Sequence, residues 1–241
     1  MGLTARQTQI LRCVIDEYIA TSEPVGSQAL ESKYNLGVSP ATIRKEMGDL
    51  TSIGYLRQPH TSAGRVPTPL AMKFYIDQLM EEKQMSLADE VRAKEQVRAA
   101  KSDFNKLMNE ATMALADYTN ALVVATTEGG DTWRAGYSHL VENPEFGDVS
   151  ICQSVFSVLE ETRRLHELFF QRLTGLSPIE ILFGEELGWE RFEPVGVVST
   201  RFSSPYGVGA IGVIGPLRQN YSTVIPTVRY FGSLISEMSG R

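Results

Sequence analysis

SPATIRKEMGDLTSIGYLRQPHTSAGRVPT, residues Ser39–Thr68, reads as one helix followed by a short, positively charged ribbon. The Ser39 hydroxyl is placed to accept from free backbone N–H groups at a helix start, and Pro40 suits the first helical position. Ile43, Met47, Leu50 and Ile53 recur at helical spacing and predict a buried stripe. Gly54 predicts the stop. The opposite face is Ala41, Lys45, Gly48 and Ser52, flanked by Thr42 and Arg44. Long charged side chains usually cover a solvent face. Small residues there leave the backbone open to close approach, and the major groove of DNA is wide enough to admit such a helix.

Tyr55 and Leu56 predict a strand, and Pro59 to Pro67 a turn and its return. Gln58, His60, Thr61, Ser62 and Arg65 all carry donors able to reach phosphate oxygens. An ordinary helix and hairpin inside a helical domain would give the same pattern, and the residues alone leave both readings open.

Working outward, Thr4 predicts the cap of a first helix whose apolar face is Ile10, Leu11, Val14, Ile15 and Tyr18, with Cys13 beside it as a packing residue. Glu23-Pro24 breaks the chain. Ser27 then predicts a second cap, with Ala29, Leu30 and Tyr34 turned inward, and Asn35-Leu36-Gly37 a tight turn. Three helices plus a hairpin make a winged helix-turn-helix, with the Ser39 helix as reader and the hairpin as wing.

TARQTQILRCVIDEYIATSEPVGSQAL, VSPATIRKEMGDL and GYLRQPHTSAGRVPT together resemble the amino-terminal domain of the heat-inducible transcription repressor family, HrcA. QPHTSAGRVPT is the most specific part. The resemblance covers residues 3–82 closely and resumes from about Asn120 to the end. It implies a repressor of chaperone genes that binds an inverted-repeat operator on double-stranded DNA as a homodimer. It also implies that the GroE chaperonin keeps the repressor competent. The matching positions imply a DNA-binding set of Ser39, Ala41, Thr42, Arg44, Lys45, Gln58, His60, Thr61, Ser62 and Arg65. One position departs: the family pattern has asparagine, ATIRN, where this chain has Lys45. Asparagine suits adenine, whereas lysine suits guanine or a phosphate. Either the operator differs, or Lys45 touches only the backbone.

The net charge of −6 is not that of a bulk polyanion binder. Residues 1–85 hold nine basic and nine acidic side chains, so the rest of the chain carries the whole excess. Phosphate neutralisation per copy is therefore modest, and dimerisation would double it. Cys13 and Cys152 form neither metal spacing nor a disulfide framework, which suits a reducing cytoplasm. No apolar run reaches membrane-spanning length, the start does not read as a signal peptide, and no membrane partner is expected.

Pro69 to Glu82 predicts another helix, with Leu70, Phe74, Ile76, Leu79 and Met80 available for packing. Ser86 precedes a stretch without Gly or Pro from Leu87 to about Tyr118, read as one long linking helix. Val97, Phe104, Ala111 and Tyr118 fall seven apart, with Ala100, Leu107 and Ala114 complementary. This is a helix packed on its own sheet or a dimer seam. The family carries an inserted dimerisation domain that this sequence lacks, so the long helix is the first candidate for a replacement interface. Ala121–Ala125, Pro178–Phe183, Val195–Phe202 and Tyr206–Ile214 predict strands, Val155–Leu173 a helix, Gly215-Pro216 a turn, and a final helix carries Val228, Phe231, Leu234 and Ile235. GVGAIGVIGPLRQNY resembles the family's carboxy-terminal signature, which has methionine at the Gln219 position. The fold class is therefore α+β. Residues 1–85 form the winged helix-turn-helix, 86–119 the linking helix, and 120–241 a GAF-like domain with an antiparallel sheet and flanking helices.

His60, His139 and His166 are scattered, and Glu160-Glu161 and Glu185-Glu186 read as solvated faces. No phosphate loop, dinucleotide fingerprint, nucleophile elbow or zinc-protease motif occurs. Neither an enzyme, a cofactor nor a metal is expected. The rival reading is a winged-helix regulator controlled by a small molecule held in the GAF-like domain. A third is a winged-helix protein-interaction module, disfavoured by Arg44, Lys45, His60 and Arg65.

Overall fold

The computed structural model describes residues 2–240. The chain divides into two compact units, Met1–Glu81 and Glu82–Arg241. It is a mixed helical and antiparallel-sheet fold.

The first unit contains α1 (Ala5–Thr21), α2 (Ser27–Lys33), α3 (Pro40–Ser52), β1 (Leu56–Arg57), β2 (Val66–Pro67) and α4 (Pro69–Gln78). Thr4 opens α1 with a reciprocal cap. Its Oγ1 accepts from the Gln7 N–H at 3.2 Å, and its own N–H donates to Gln7 Oε1 at 3.1 Å. The core joins Ile10, Leu11, Val14 and Ile15 to Leu30, Ile43, Met47, Leu50, Leu56 and Val66, all buried. Cys13 is buried beside them, and burial pushes its thiol pKa up, so it packs as a small hydrophobe.

Four expectations are corrected here. Ser27 does not cap α2: Gly26 holds the cap position, and Ser27 is the first helical residue, itself buried. Ala29 faces solvent, because α2 turns Ser27 and Leu30, three residues apart, inward. Ile53 is 52% exposed, because α3 ends at Ser52 and the residue beyond leaves the helical stripe. On α4 the buried residues are Ala71, Met72 and Tyr75, while Leu70 is half exposed and the helix ends at Gln78, short of Glu82. Tyr34 is partly buried, and its hydroxyl donates to Glu17 Oε2 at 3.1 Å. Burial and that carboxylate push its pKa up to about 12.

The second unit opens with α5 (Leu87–Ala99) and α6 (Phe104–Thr119). The single long helix predicted across 86–119 is thus corrected to two. Asp103 is the reason: its carboxylate accepts from the Lys106 N–H at 3.2 Å and starts a new helix. The two helices pack on each other. Gln96 Nε2 donates to Glu110 Oε2 at 2.9 Å, and the Tyr118 hydroxyl donates to the Asp89 carbonyl at 3.1 Å. Val97, Leu107, Ala111 and Ala114 are buried within the same chain, so the seven-residue repeat is not a continuous seam.

β3 (Leu122–Thr127), β4 (Thr132–Ala135), β5 (Glu180–Phe183), β6 (Val195–Ser204) and β7 (Gly207–Pro216) form a sheet of order β4-β3-β7-β6-β5, antiparallel throughout. Gly215 and Pro216 still pair with Gly196 and Val195, so the predicted turn falls one step later. Between β4 and β5 lie α7 (Tyr137–Val141), α8 (Val149–Glu160), α9 (Thr162–His166) and a π-helical segment, Glu167–Arg172. The predicted Val155–Leu173 helix is therefore longer at its start and broken at Glu161, whose backbone is extended at φ −97°. Asp148 sets the earlier start, its carboxylate accepting from the Ser150 N–H at 2.9 Å. Leu165, Leu168 and Phe169 from this region pack with Val195, Val197 and Ile214 of the sheet. The last helix, α10 (Tyr221–Met238), packs on β6 and on α6. Gln219, where the family resemblance implies methionine, is buried and donates through Nε2 to the Gly196 carbonyl at 2.8 Å.

Candidate nucleic-acid interface

The Ser39 Oγ accepts from the Thr42 N–H at 3.3 Å and lies 3.1 Å from the Thr42 hydroxyl. Both side chains are thereby turned to the helix start. Pro40 follows at the first position. Ile43, Met47 and Leu50 anchor α3 in the core, which leaves Ala41, Arg44, Lys45 and Ser52 exposed and Gly48 half-buried. Glu46 is turned toward α1, 3.8 Å from Arg6. The exposed row is therefore small or basic, with Asp49 the acidic residue at its edge.

β1 and β2 are only two residues each, joined as Leu56↔Pro67 and Arg57↔Val66. So short a ladder needs other ties. Gln58 Nε2 donates to the carbonyls of Thr61 and Ala63, both at 2.9 Å, and the Ala63 N–H donates to His60 at 2.9 Å. Arg65 Nε donates to Thr51 Oγ1 on α3 at 3.1 Å. The backbone of Arg65 also pairs with Val25, just before α2: Val25 N–H to Arg65 carbonyl at 2.9 Å, and Arg65 N–H to Val25 carbonyl at 2.8 Å. Gly64 makes this approach possible, since a Cβ there would stand 2.4 Å from the Val25 carbonyl oxygen.

The ten predicted residues thus separate into three groups. Ala41, Arg44 and Lys45 are exposed on α3, and His60, Thr61 and Ser62 are exposed at the tip of the ribbon. Ser39 and Thr42 form the start of α3. Gln58 and Arg65 are engaged inside the unit, Gln58 closing the ribbon's turn and Arg65 tying the ribbon to α3. Arg44, Gln58, Thr61, Ser62 and Arg65 line one cleft of about 350 Å³, so α3 and the ribbon share one concave surface. Sequence reasoning missed Gly64, Val25 and Thr51. The glycine inside QPHTSAGRVPT is a signal for close backbone approach, but nothing local names Val25 as the partner.

Comparison with known proteins decides the lineage. The family model described as the HrcA protein C terminal domain matches residues 70–225. The chain belongs to the HrcA family. The Heat-inducible transcription repressor HrcA of Symbiobacterium thermophilum is similar to this HrcA family member over 336 aligned positions at 27% identity, covering 97% of this chain and 98% of that protein. The alignment is longer than this chain's 241 residues, so that relative carries sequence that this one lacks. The Desulforamulus reducens protein of the same name is 40% identical over 140 residues, 58% of this chain and 40% of its own. A solved structure described as a hypothetical protein at 2.2 Å resolution shares the fold with TM-score 0.76, at 20% identity over 98% of each chain.

Proposed function

We propose that this HrcA family member is a sequence-specific, DNA-binding transcriptional repressor of heat-shock genes. In this reading residues 1–85 are a winged helix-turn-helix, with α3 as reader and the β1–β2 ribbon as wing. Residues 120–241 are a GAF-like domain with α5 and α6 packed on it. The observation that carries the reading is the small, basic, solvent-facing row of α3 beside a braced ribbon. Ala41, Arg44 and Lys45 face base edges and nearby phosphates. Thr42 and the Ser39 cap set the height of the helix over the backbone. His60, Thr61 and Ser62 lie on the backbone or in the adjacent minor groove, while Gln58 and Arg65 hold the wing that presents them.

The repressor binds an inverted repeat as a homodimer, because each copy supplies few cations and two half-sites double the electrostatic term. The interface lies outside a coiled-coil seam, since α5 and α6 fold on each other. The repressor acts in the cytoplasm, and no helix among the described residues is long and apolar enough to cross a membrane. The GroE chaperonin keeps it competent; heating followed by added chaperonin should then restore DNA affinity that heating alone removes.

Fluorescence anisotropy at about physiological salt tests the main reading, because salt sets the phosphate term. The chain is titrated into an inverted-repeat duplex, a single half-site and a scrambled duplex. Tight, salt-sensitive preference for the full repeat is expected. Equal affinity for all three would remove sequence-specific dimeric binding to that operator, and selection from random duplexes would show whether Lys45 has changed the site.

A further inference from the structure

β6 has ten residues and β5 only four, so β5 pairs with Gly196–Ser199 and leaves the rest of β6 without a neighbour on that side. The chain before β5 crosses this open edge. Thr200 Oγ1 donates to the Pro178 carbonyl at 2.7 Å, which fixes the crossing. Beneath it, between the crossing segment, β6 and α10, is a cavity of about 850 Å³, within the range of small-molecule sites.

Arg201 lines this cavity in an unusual electrostatic state. Its guanidinium lies over the Phe170 ring, 4.4 Å from the centroid, and a Cβ on Gly175 would stand 2.8 Å from its Nε. Nη2 donates to the Leu173 carbonyl at 2.8 Å, whereas Nη1 has neither water access nor a hydrogen-bond partner. Burial lowers the pKa of the group, yet it stays charged, as arginine does. Glu180 and Glu128 favour its charge through space without a hydrogen bond to it, and Glu180 accepts from the Thr174 N–H, the Thr174 hydroxyl and the Gly175 N–H. The other ionic side chains of the cavity are also paired, Arg229 with Glu82 and Glu237 with Lys94. One N–H group of this guanidinium stays buried without an acceptor, and an entering carboxylate would supply one.

We propose that this cavity binds a small organic monocarboxylate, its carboxylate on Arg201 and its apolar body against Leu176 and Pro178. Uptake requires the crossing segment to shift, because Nη1 is closed off. Leu176 is 90% exposed, so closing it over an apolar ligand would bury surface that now faces water. Gly175, at φ +75°, stands next to it as a position where the backbone can turn.

Calorimetric titration of the intact chain without DNA tests this with isovalerate, benzoate, acetate, the neutral isostere isovaleramide and inorganic phosphate. Isovalerate and benzoate should bind. Acetate should bind about tenfold more weakly for want of an apolar body, and isovaleramide should lose at least about tenfold for want of charge. Arg201→Gln should weaken both acids by at least about tenfold, and Ser233→Trp, at an exposed position on the cavity wall, should block them by filling the space. Ser233→Trp leaves Arg201 in place, so it decides the matter if Arg201→Gln does not fold. No binding of either acid at millimolar concentration, equal binding of isovaleramide, preference for phosphate, or binding unchanged in the variants would each overturn the proposal. Failure here would leave the repressor reading untouched, because no DNA enters the measurement.

Discussion

The β1–β2 ribbon and the β6–β7 pair are both antiparallel hairpins, yet they are held by different physics. β6 and β7 align ten residues each and are buried along most of their length, so no single contact decides their geometry. The ribbon aligns two residues each and is exposed at its tip. Its geometry depends on a few discrete ties: Gln58 within the turn, Arg65 to Thr51, and Arg65 to Val25. A long hairpin is specified by area, a short one by individual atoms. Substitutions in the sheet unit should therefore scale with volume removed, and those in the ribbon with which tie is lost.

The largest effect expected is Phe231→Ala on α10. Phe231 is fully buried and packs against the Tyr118 and Tyr230 rings. Loss of the ring should destabilise the second unit by about 3–5 kcal/mol in denaturant unfolding. A loss below about 1 kcal/mol would show that the surrounding helices close the cavity. Next is Gly64→Ala, which removes no volume at all. Its methyl would collide with the Val25 carbonyl, and opening the Val25–Arg65 pair should cost on the order of 2–3 kcal/mol while weakening DNA binding. Wild-type stability and affinity in that variant would mean the ribbon does not depend on the tie.

Arg44→Ala should leave unfolding unchanged within about 0.5 kcal/mol, because the side chain is exposed. If Arg44 reads a base, specific binding should fall by roughly 1–3 kcal/mol. Equal loss on specific and scrambled duplexes would make it a phosphate contact. The smallest effect concerns acid. Lys33 donates to Glu17 at 2.6 Å, and that bond, with a second from Tyr34, holds the Glu17 pKa below its ordinary value. The resulting stability is present above the unfolded carboxyl pKa and is lost as pH falls through the lowered folded value. Lys33 is more than half exposed, so the pair should contribute about 0.2–1 kcal/mol. Lys33→Ala should reduce the acid sensitivity of the first unit, and an unchanged pH profile would assign that sensitivity to other carboxylates.

What was legible in the sequence follows the same division. Thr4, Ser39 and Pro40 announce helix starts through local chemistry, and the apolar stripes of α1, α3 and α10 announce their own burial. Four of the five sheet strands were legible because runs such as VGVVSTRF are apolar enough to be buried on both faces, whereas β4, the four-residue edge strand TWRA, is too short and too polar to announce itself. Helix interruptions were not legible from periodicity. A seven-residue count runs across residues 100–103 without registering that Asp103 caps a new helix, and a helical count runs across Glu161 in the same way. In the candidate interface, the exposed residues of α3 followed from angle alone. The roles of Gln58 and Arg65 did not, because a donor that can reach a phosphate can equally reach a carbonyl or hydroxyl in its own chain. Gly64 required knowing that Val25 comes back beside it.

The Val25–Arg65 bridge also bears on the entropy of recognition. A free loop that settles on a nucleic acid gives up about 1–2 kcal/mol for each backbone residue it fixes. Here the segment leading into α2 and the return of the ribbon are already fastened to each other by two backbone hydrogen bonds, and Gln58 has already closed the tip. That ordering is complete at folding. In the proposed reading the ribbon would reach a duplex preorganised, and its contacts would not have to offset a second loss of freedom.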